Sequence, residues 1–144
     1  MNIFKNVKIL AGNDRLNNYS FKPFDKRILN FIALLSKNIQ INKLAKDYTD
    51  VLSFAFFCRE RNLIALEKNY SNLKIRKGLG ISFHITRANI PTNFAYSLIF
   101  GLLSGNCNIV KVPSKNFPQI EIICKEINRT LSRFPKLKDH IKII

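Results

Sequence analysis

The sequence predicts an α/β fold, with a mainly helical N-terminal region over residues 1–77 followed by an incomplete parallel, Rossmann-like βαβαβ unit over residues 78–144. Both are expected to be parts of one truncated domain. Three observations predict this. Apolar residues recur at helical spacing up to about Ser71. After Gly78 the pattern changes to short, partly β-branched runs bounded by glycine and proline. Two of these runs end in a proline-marked polar turn that feeds an apolar helical stripe, the alternation that builds a parallel sheet.

Behind Pro23, the residues Phe24, Ile28, Phe31, Ile32 and Leu35 form a helical stripe, and Lys26, Arg27, Asn30 and Lys37 take the other face. Tyr48, Val51, Leu52, Ala55 and Phe56 repeat the pattern, and Leu63, Leu66 and Tyr70 continue it past Arg59, Glu60 and Arg61. A linker is expected over residues 69–77. Residues 79–85 suit a buried strand, which Pro91 ends. Phe94, residues 96–100, Leu102 and Leu103 then form an apolar helix with Gly105 as its C-terminal cap. A second strand over residues 107–112 breaks at Pro113. Asn116, with Gln119 three residues later and Pro118 in the first turn, predicts a capped helix start. The stripe of that helix is Ile120, Ile123, Cys124, Ile127, Leu131 and Phe134, with Glu121, Lys125, Arg129 and Arg133 outside it. Pro135 stops it, and residues 141–144 read as a third strand. A right-handed parallel unit of so few strands has open edges, so the chain is expected to be a fragment or a shortened relative of a longer domain.

A chain of 144 residues with 47% hydrophobic content can bury a core. Its net charge of +15 suggests a polyanionic partner. However, Lys and Arg stand singly or in pairs, as at Lys26-Arg27 and Arg76-Lys77, and form no basic arm, which argues against nucleic acid. Cys58, Cys107 and Cys124 are too few and too irregularly spaced for a disulfide framework or a zinc motif, which fits a reducing cytoplasm. Residues 1–6 do not resemble a signal peptide. The longest apolar run, residues 94–103, falls well short of the ~20 residues of a membrane span.

Ligands of open parallel sheets sit beyond the carboxyl ends of the strands, which places Asn89 and Lys111 at the binding edge. Both also have plain structural readings. Asparagine is a common turn former, and lysine is common at strand ends. His84 reads as a hydrogen-bonded structural histidine in mid-strand. The three cysteines read as core residues rather than nucleophiles. Gly78-Leu79-Gly80 precedes its strand and so is no phosphate-binding fingerprint.

Three pieces together, Gly-Ile-Ser-Phe-His-Ile-Thr-Arg-Ala-Asn-Ile-Pro over residues 80–91, Gly-Leu-Leu-Ser-Gly-Asn over 101–106 and Ile-Val-Lys-Val-Pro-Ser over 109–114, carry a family resemblance. The chain resembles the acyl-CoA reductases of bacterial luminescence, the LuxC type, of the aldehyde dehydrogenase superfamily. Asp50 to Phe56, Arg59, Asn62 and Leu63 resemble that family's helical N-terminal region. Ala88 stands where ordinary aldehyde dehydrogenases have a tryptophan, and the lysine turn reads Lys-Val-Pro-Ser rather than Lys-Pro-Ser.

The resemblance implies reduction of an activated fatty acyl group to an aldehyde with NADPH, through a thioester on a cysteine. It implies that Asn89 donates its amide to the oxyanion and that Lys111 binds the cofactor's adenosine ribose. Ser114 would add a hydrogen bond there, and the backbone at Ile85 and Thr86 would line the nicotinamide side. The catalytic cysteine and its glutamate partner are expected downstream of residue 144, leaving the isolated chain inactive. Expected partners are an acyl-CoA or acyl-protein substrate, with an acyl-protein synthetase or a downstream reductase fragment. The alternative is a basic, non-catalytic binding or interaction module, for example a decayed remnant pairing through its open sheet edge.

Overall fold

The computed structural model describes residues 7–70 and 76–144, so the expectations for residues 1–6 and for most of the linker at 69–77 lie outside the described residues. The elements in order are β1 (Ala11–Gly12), α1 (Lys26–Ile41), a 3-10 turn (Leu44–Asp47), α2 (Thr49–Phe57), α3 (Glu60–Tyr70), β2 (Ile81–Ile85), α4 (Asn93–Leu103), β3 (Cys107–Lys111), α5 (Pro118–Leu131), a second 3-10 turn (Pro135–His140) and β4 (Ile141–Ile143). The sheet order is β1-β4-β3-β2, with β2, β3 and β4 parallel and β1 antiparallel to β4. The α/β fold with its helical N-terminal region and parallel βαβαβ unit is therefore present.

Among the described residues the N-terminal region is helical only from Lys26 onward. Asp25 caps α1, its carboxylate accepting from the Arg27 amide at 2.9 Å, while Phe24 stands outside the helix at φ 54°. Before it, extended chain supplies β1, which no periodicity could announce because it is two residues long. Asn128 of α5 fastens this strand. Its Oδ1 accepts from the Gly12 amide and its Nδ2 donates to the Leu10 carbonyl, both at 3.0 Å.

Gly105 ends α4 as expected, at φ 84°. Its amide bonds to the Leu102 carbonyl at 2.8 Å, and the Asn106 amide to that of Gly101 at 3.0 Å, the paired bonds of a Schellman cap. The expected cap on the next helix is corrected. Pro118, which lacks an N–H, occupies the first helical position, so the cap falls on Phe117, which has no side-chain acceptor to offer. Gln119 instead donates to Asp50 at 3.5 Å.

Helix α4 packs on β2 and β3, α5 packs on β1, and α1 crosses both helices from outside. Phe31 meets Phe134 edge-on at 5.8 Å and Phe54 meets Tyr96 at 5.2 Å. On the opposite face of the sheet, Lys142 is completely buried, its Nζ 2.9 Å from both the backbone carbonyl and the carboxylate of Asp14. That cover stops short of β2. The strand expected to be buried is an edge strand with one face bare: Leu79, Ile81, Phe83 and Ile85 are 99%, 52%, 56% and 76% exposed. Among the described residues no helix is long and apolar enough to cross a membrane.

Candidate functional site

The carboxyl ends of β2 and β3 lie side by side because the two strands pair in parallel register, with Ile85 opposite Lys111. Thr86 closes the ladder. Its amide donates to the Lys111 carbonyl at 3.4 Å and its Oγ1 donates to the same oxygen at 2.9 Å. Three of the sequence-predicted residues, Ile85, Thr86 and Lys111, are thus brought together. Lys111 is exposed, and among the described residues no carboxylate pairs with its ammonium.

Ser114 stands elsewhere, in a groove of about 660 Å³ at the start of α5. Lys115, Asn116 and Phe117 line it from the same turn, Lys8 and Leu10 from the N-terminal segment, and Glu121, Cys124 and Lys125 from the helix. Lys111 is not among its walls, so Lys111 and Ser114 do not share that groove. Two groove cations, Lys8 and Lys115, went unnoticed in the sequence. Lys115 adjoins Ser114 and was within reach of a reading of that turn, whereas no local signal connects Lys8 to it.

Asn89 is exposed in the loop that leaves β2. Backbone bonds hold the loop, with the Asn93 amide on the Ile90 carbonyl at 3.2 Å and the Ala95 amide on that of Thr92 at 3.0 Å. No hydrogen bond engages the Asn89 amide among the described residues, so the local satisfaction that explains most turn asparagines is missing here.

Residues 59–144, more than half of the chain, match the family model described as Acyl-CoA reductase (LuxC). The chain belongs to this LuxC acyl-CoA reductase family. The match takes in α3, the whole βαβαβ unit and both edge turns, and leaves out α1 and α2. Comparison with curated proteins finds no match, and neither does comparison with solved structures.

In this LuxC-family chain the three thiols are structural. Cys58, Cys107 and Cys124 are all buried. Burial pushes the Cys58 thiol far up, Cys124 up to about 12, and Cys107 up to about 11 with a smaller contribution from Asp139. A nucleophilic cysteine needs the reverse, a lowered pKa and access to substrate. His84 is also engaged. Its Nε2 lies 2.9 Å from Asn108 Oδ1 beneath α4.

Proposed function

We propose that this chain supplies the cofactor-side portion of an NADPH-dependent acyl-CoA reductase, which forms a fatty aldehyde from acyl-CoA through a cysteine thioester. The family match over residues 59–144 carries the reading. The unengaged ammonium of Lys111 at the end of β3 and the unengaged amide of Asn89 in the loop beyond β2 support it, since these are the groups the chemistry requires at a sheet's carboxyl edge.

Lys111 would hold the adenosine ribose, and as a cation it can also meet a 2′-phosphate. The Thr86 hydroxyl donates to the Lys111 carbonyl and keeps its lone pairs for a ribose hydroxyl. The backbone at Ile85 and Thr86 would line the nicotinamide side. Ser114 would add its hydroxyl from the neighbouring groove, where Lys8 and Lys115 provide positive charge near phosphate. When bound, the cofactor supplies the hydride.

Asn89 would donate its amide N–H to the oxygen that gains negative charge as a thiolate attacks the acyl carbonyl, and again as hydride arrives. A neutral amide stabilises that charge without giving up its proton, and donors of this kind are worth roughly 10²–10³ in rate. The thiolate would come from polypeptide outside residues 1–144, because all three thiols here are buried.

The test is to titrate the full chain with NADPH by cofactor fluorescence, and separately to follow cofactor absorbance with acyl-CoA present. Binding is expected, weakened about tenfold (about 1.4 kcal/mol) in Lys111→Ala, with no turnover by the chain alone. Undiminished binding in the variant overturns the role of Lys111. Steady turnover overturns the claim that the nucleophile comes from elsewhere.

A further inference from the structure

A second pocket opens at the other end of the parallel strands. Its volume is about 380 Å³, and its walls come from residues between Tyr19 and Arg27 and from Arg76 and Lys77. Backbone bonds join these two segments where the strands begin. The Gly78 amide donates to the Phe21 carbonyl at 3.0 Å, and the Phe21 amide donates at 2.8 Å to the carbonyl of Gly105, two residues before β3. The pocket therefore lies at the amino ends of β2 and β3, whereas Lys111 and the loop that carries Asn89 stand at their carboxyl ends.

Lys22, Arg27, Arg76 and Lys77 line this pocket, and the one carboxylate in its lining is Asp25. That carboxylate is already taken. Asp25 is buried, and its two oxygens accept from Nε and Nη2 of Arg27, each at 2.9 Å. The same guanidinium lies 4.2 Å over the buried Phe21 ring, which is itself stacked on His140 at 4.4 Å. Arg27 is thus held in place along one edge and one face, while its Nη1 makes no hydrogen bond among the described residues. Lys22, Arg76 and Lys77 are exposed, and no carboxylate pairs with them among the described residues. A cleft lined by charge of one sign focuses the field and concentrates counter-ions.

From the fixed guanidinium and the unpaired cations around it, we propose that this pocket binds the phosphate group of a ligand. Four cations against one carboxylate leave an excess of positive charge that a monocarboxylate would not match, whereas a phosphate monoester or diphosphate carries two or more negative charges. Arg27 offers a planar, pre-positioned donor, and the lysines add mobile point charges that close on the remaining oxygens. A soluble diphosphate and a lipid headgroup share this chemistry. The inference does not depend on the reductase reading, since it uses neither Asn89 nor Lys111.

The probes are inorganic pyrophosphate, followed by amide chemical shifts of the full chain, and phosphatidylcholine vesicles containing phosphatidic acid, followed by co-sedimentation. Saturable binding is expected, with pyrophosphate shifting the amides of Phe21, Lys22, Lys77 and Gly78. Binding of pyrophosphate assigns a soluble ligand, and binding of the vesicles alone assigns a headgroup. Lys22→Gln combined with Lys77→Gln should weaken binding at least about tenfold with an unchanged circular dichroism spectrum. Arg27→Gln should do the same, and Lys22→Gln alone serves if either fails to fold. Lys37→Gln, an exposed lysine farther along α1, should change affinity by no more than about twofold. Three outcomes overturn the proposal: neither probe binds, the paired lysine variant binds as tightly as the parent, or Lys111→Ala weakens binding as much as that variant does, which would put the phosphate at the carboxyl edge.

Discussion

His84 Nε2 lies 2.9 Å from Asn108 Oδ1, and the pair fits beneath α4 only because residue 101 is glycine. Asn108 Nδ2 donates to the Asn106 carbonyl at 2.7 Å, which turns Oδ1 toward the imidazole and makes the ring nitrogen the donor. A Cβ at Gly101 would stand 1.9 Å from Asn108 Oδ1 and 3.1 Å from His84 Nε2. Gly101→Ala therefore trades a gain in helix propensity for a clash with a tethered side chain, and it should destabilise the fold by about 1–3 kcal/mol. A thermal or urea melt checks this, and a variant as stable as the parent would mean that Asn108 can move away freely.

Asn89 and Lys111 are exposed and make no side-chain hydrogen bond or ion pair among the described residues. Asn89→Ala and Lys111→Ala should each change stability by no more than about 0.5 kcal/mol. A loss of about 1 kcal/mol or more in Asn89→Ala would instead identify the asparagine as a structural turn residue.

Burial lowers the pKa of His140 below its ordinary 6.5, against an opposing contribution from the bond to the Tyr19 carbonyl. The ring stacks on Phe21 at 4.4 Å, and Nε2 lies 2.9 Å from the Tyr19 carbonyl. Above pH 6.5 the ring is neutral in both folded and unfolded chains, so it contributes no slope there. Below that pH the unfolded chain takes up the proton first, and stability falls until the folded ring also titrates. Melting temperature should therefore decline as the pH is lowered from about 7 to about 5, and His140→Phe should flatten that decline. An identical slope in the variant would refute this.

The buried thiols should be inert in the folded chain. With a thiol-reactive chromogenic reagent at neutral pH, Cys58, Cys107 and Cys124 should react slowly before unfolding, and all 3 cysteines should react in denaturant. One fast thiol in the folded protein would reopen the search for a nucleophile within the chain.

The sequence was most legible where the information is local. The stripe from Ile28 to Leu35, the glycine cap at Gly105 and the strand from Cys107 to Lys111 each follow from spacing that neighbouring residues enforce. The readings failed where a distant partner decides. Apolar runs at β2 and β3 look alike, yet only β3 has a strand on both sides, so burial of β2 could not be read from composition. The Asn116 and Gln119 pairing gave way to a proline one residue into the helix. For the candidate site, the register of Ile85 against Lys111 was implied by two adjacent parallel strands, whereas the cations around Ser114 include Lys8 from the opposite end of the described chain.

Strand β1 joins β4 through bonds from Leu10 to Ile143 and from Asn13 to Ile141, so the sheet closes with segments from opposite ends of the described chain. Contacts of such large sequence separation slow folding, because a long loop must be ordered before they form. During synthesis the α1 to α3 helices emerge early, but Ala11 and Gly12 have no strand to pair with until residue 143 has been made. The newborn chain must therefore hold its first strand in waiting until β4 follows.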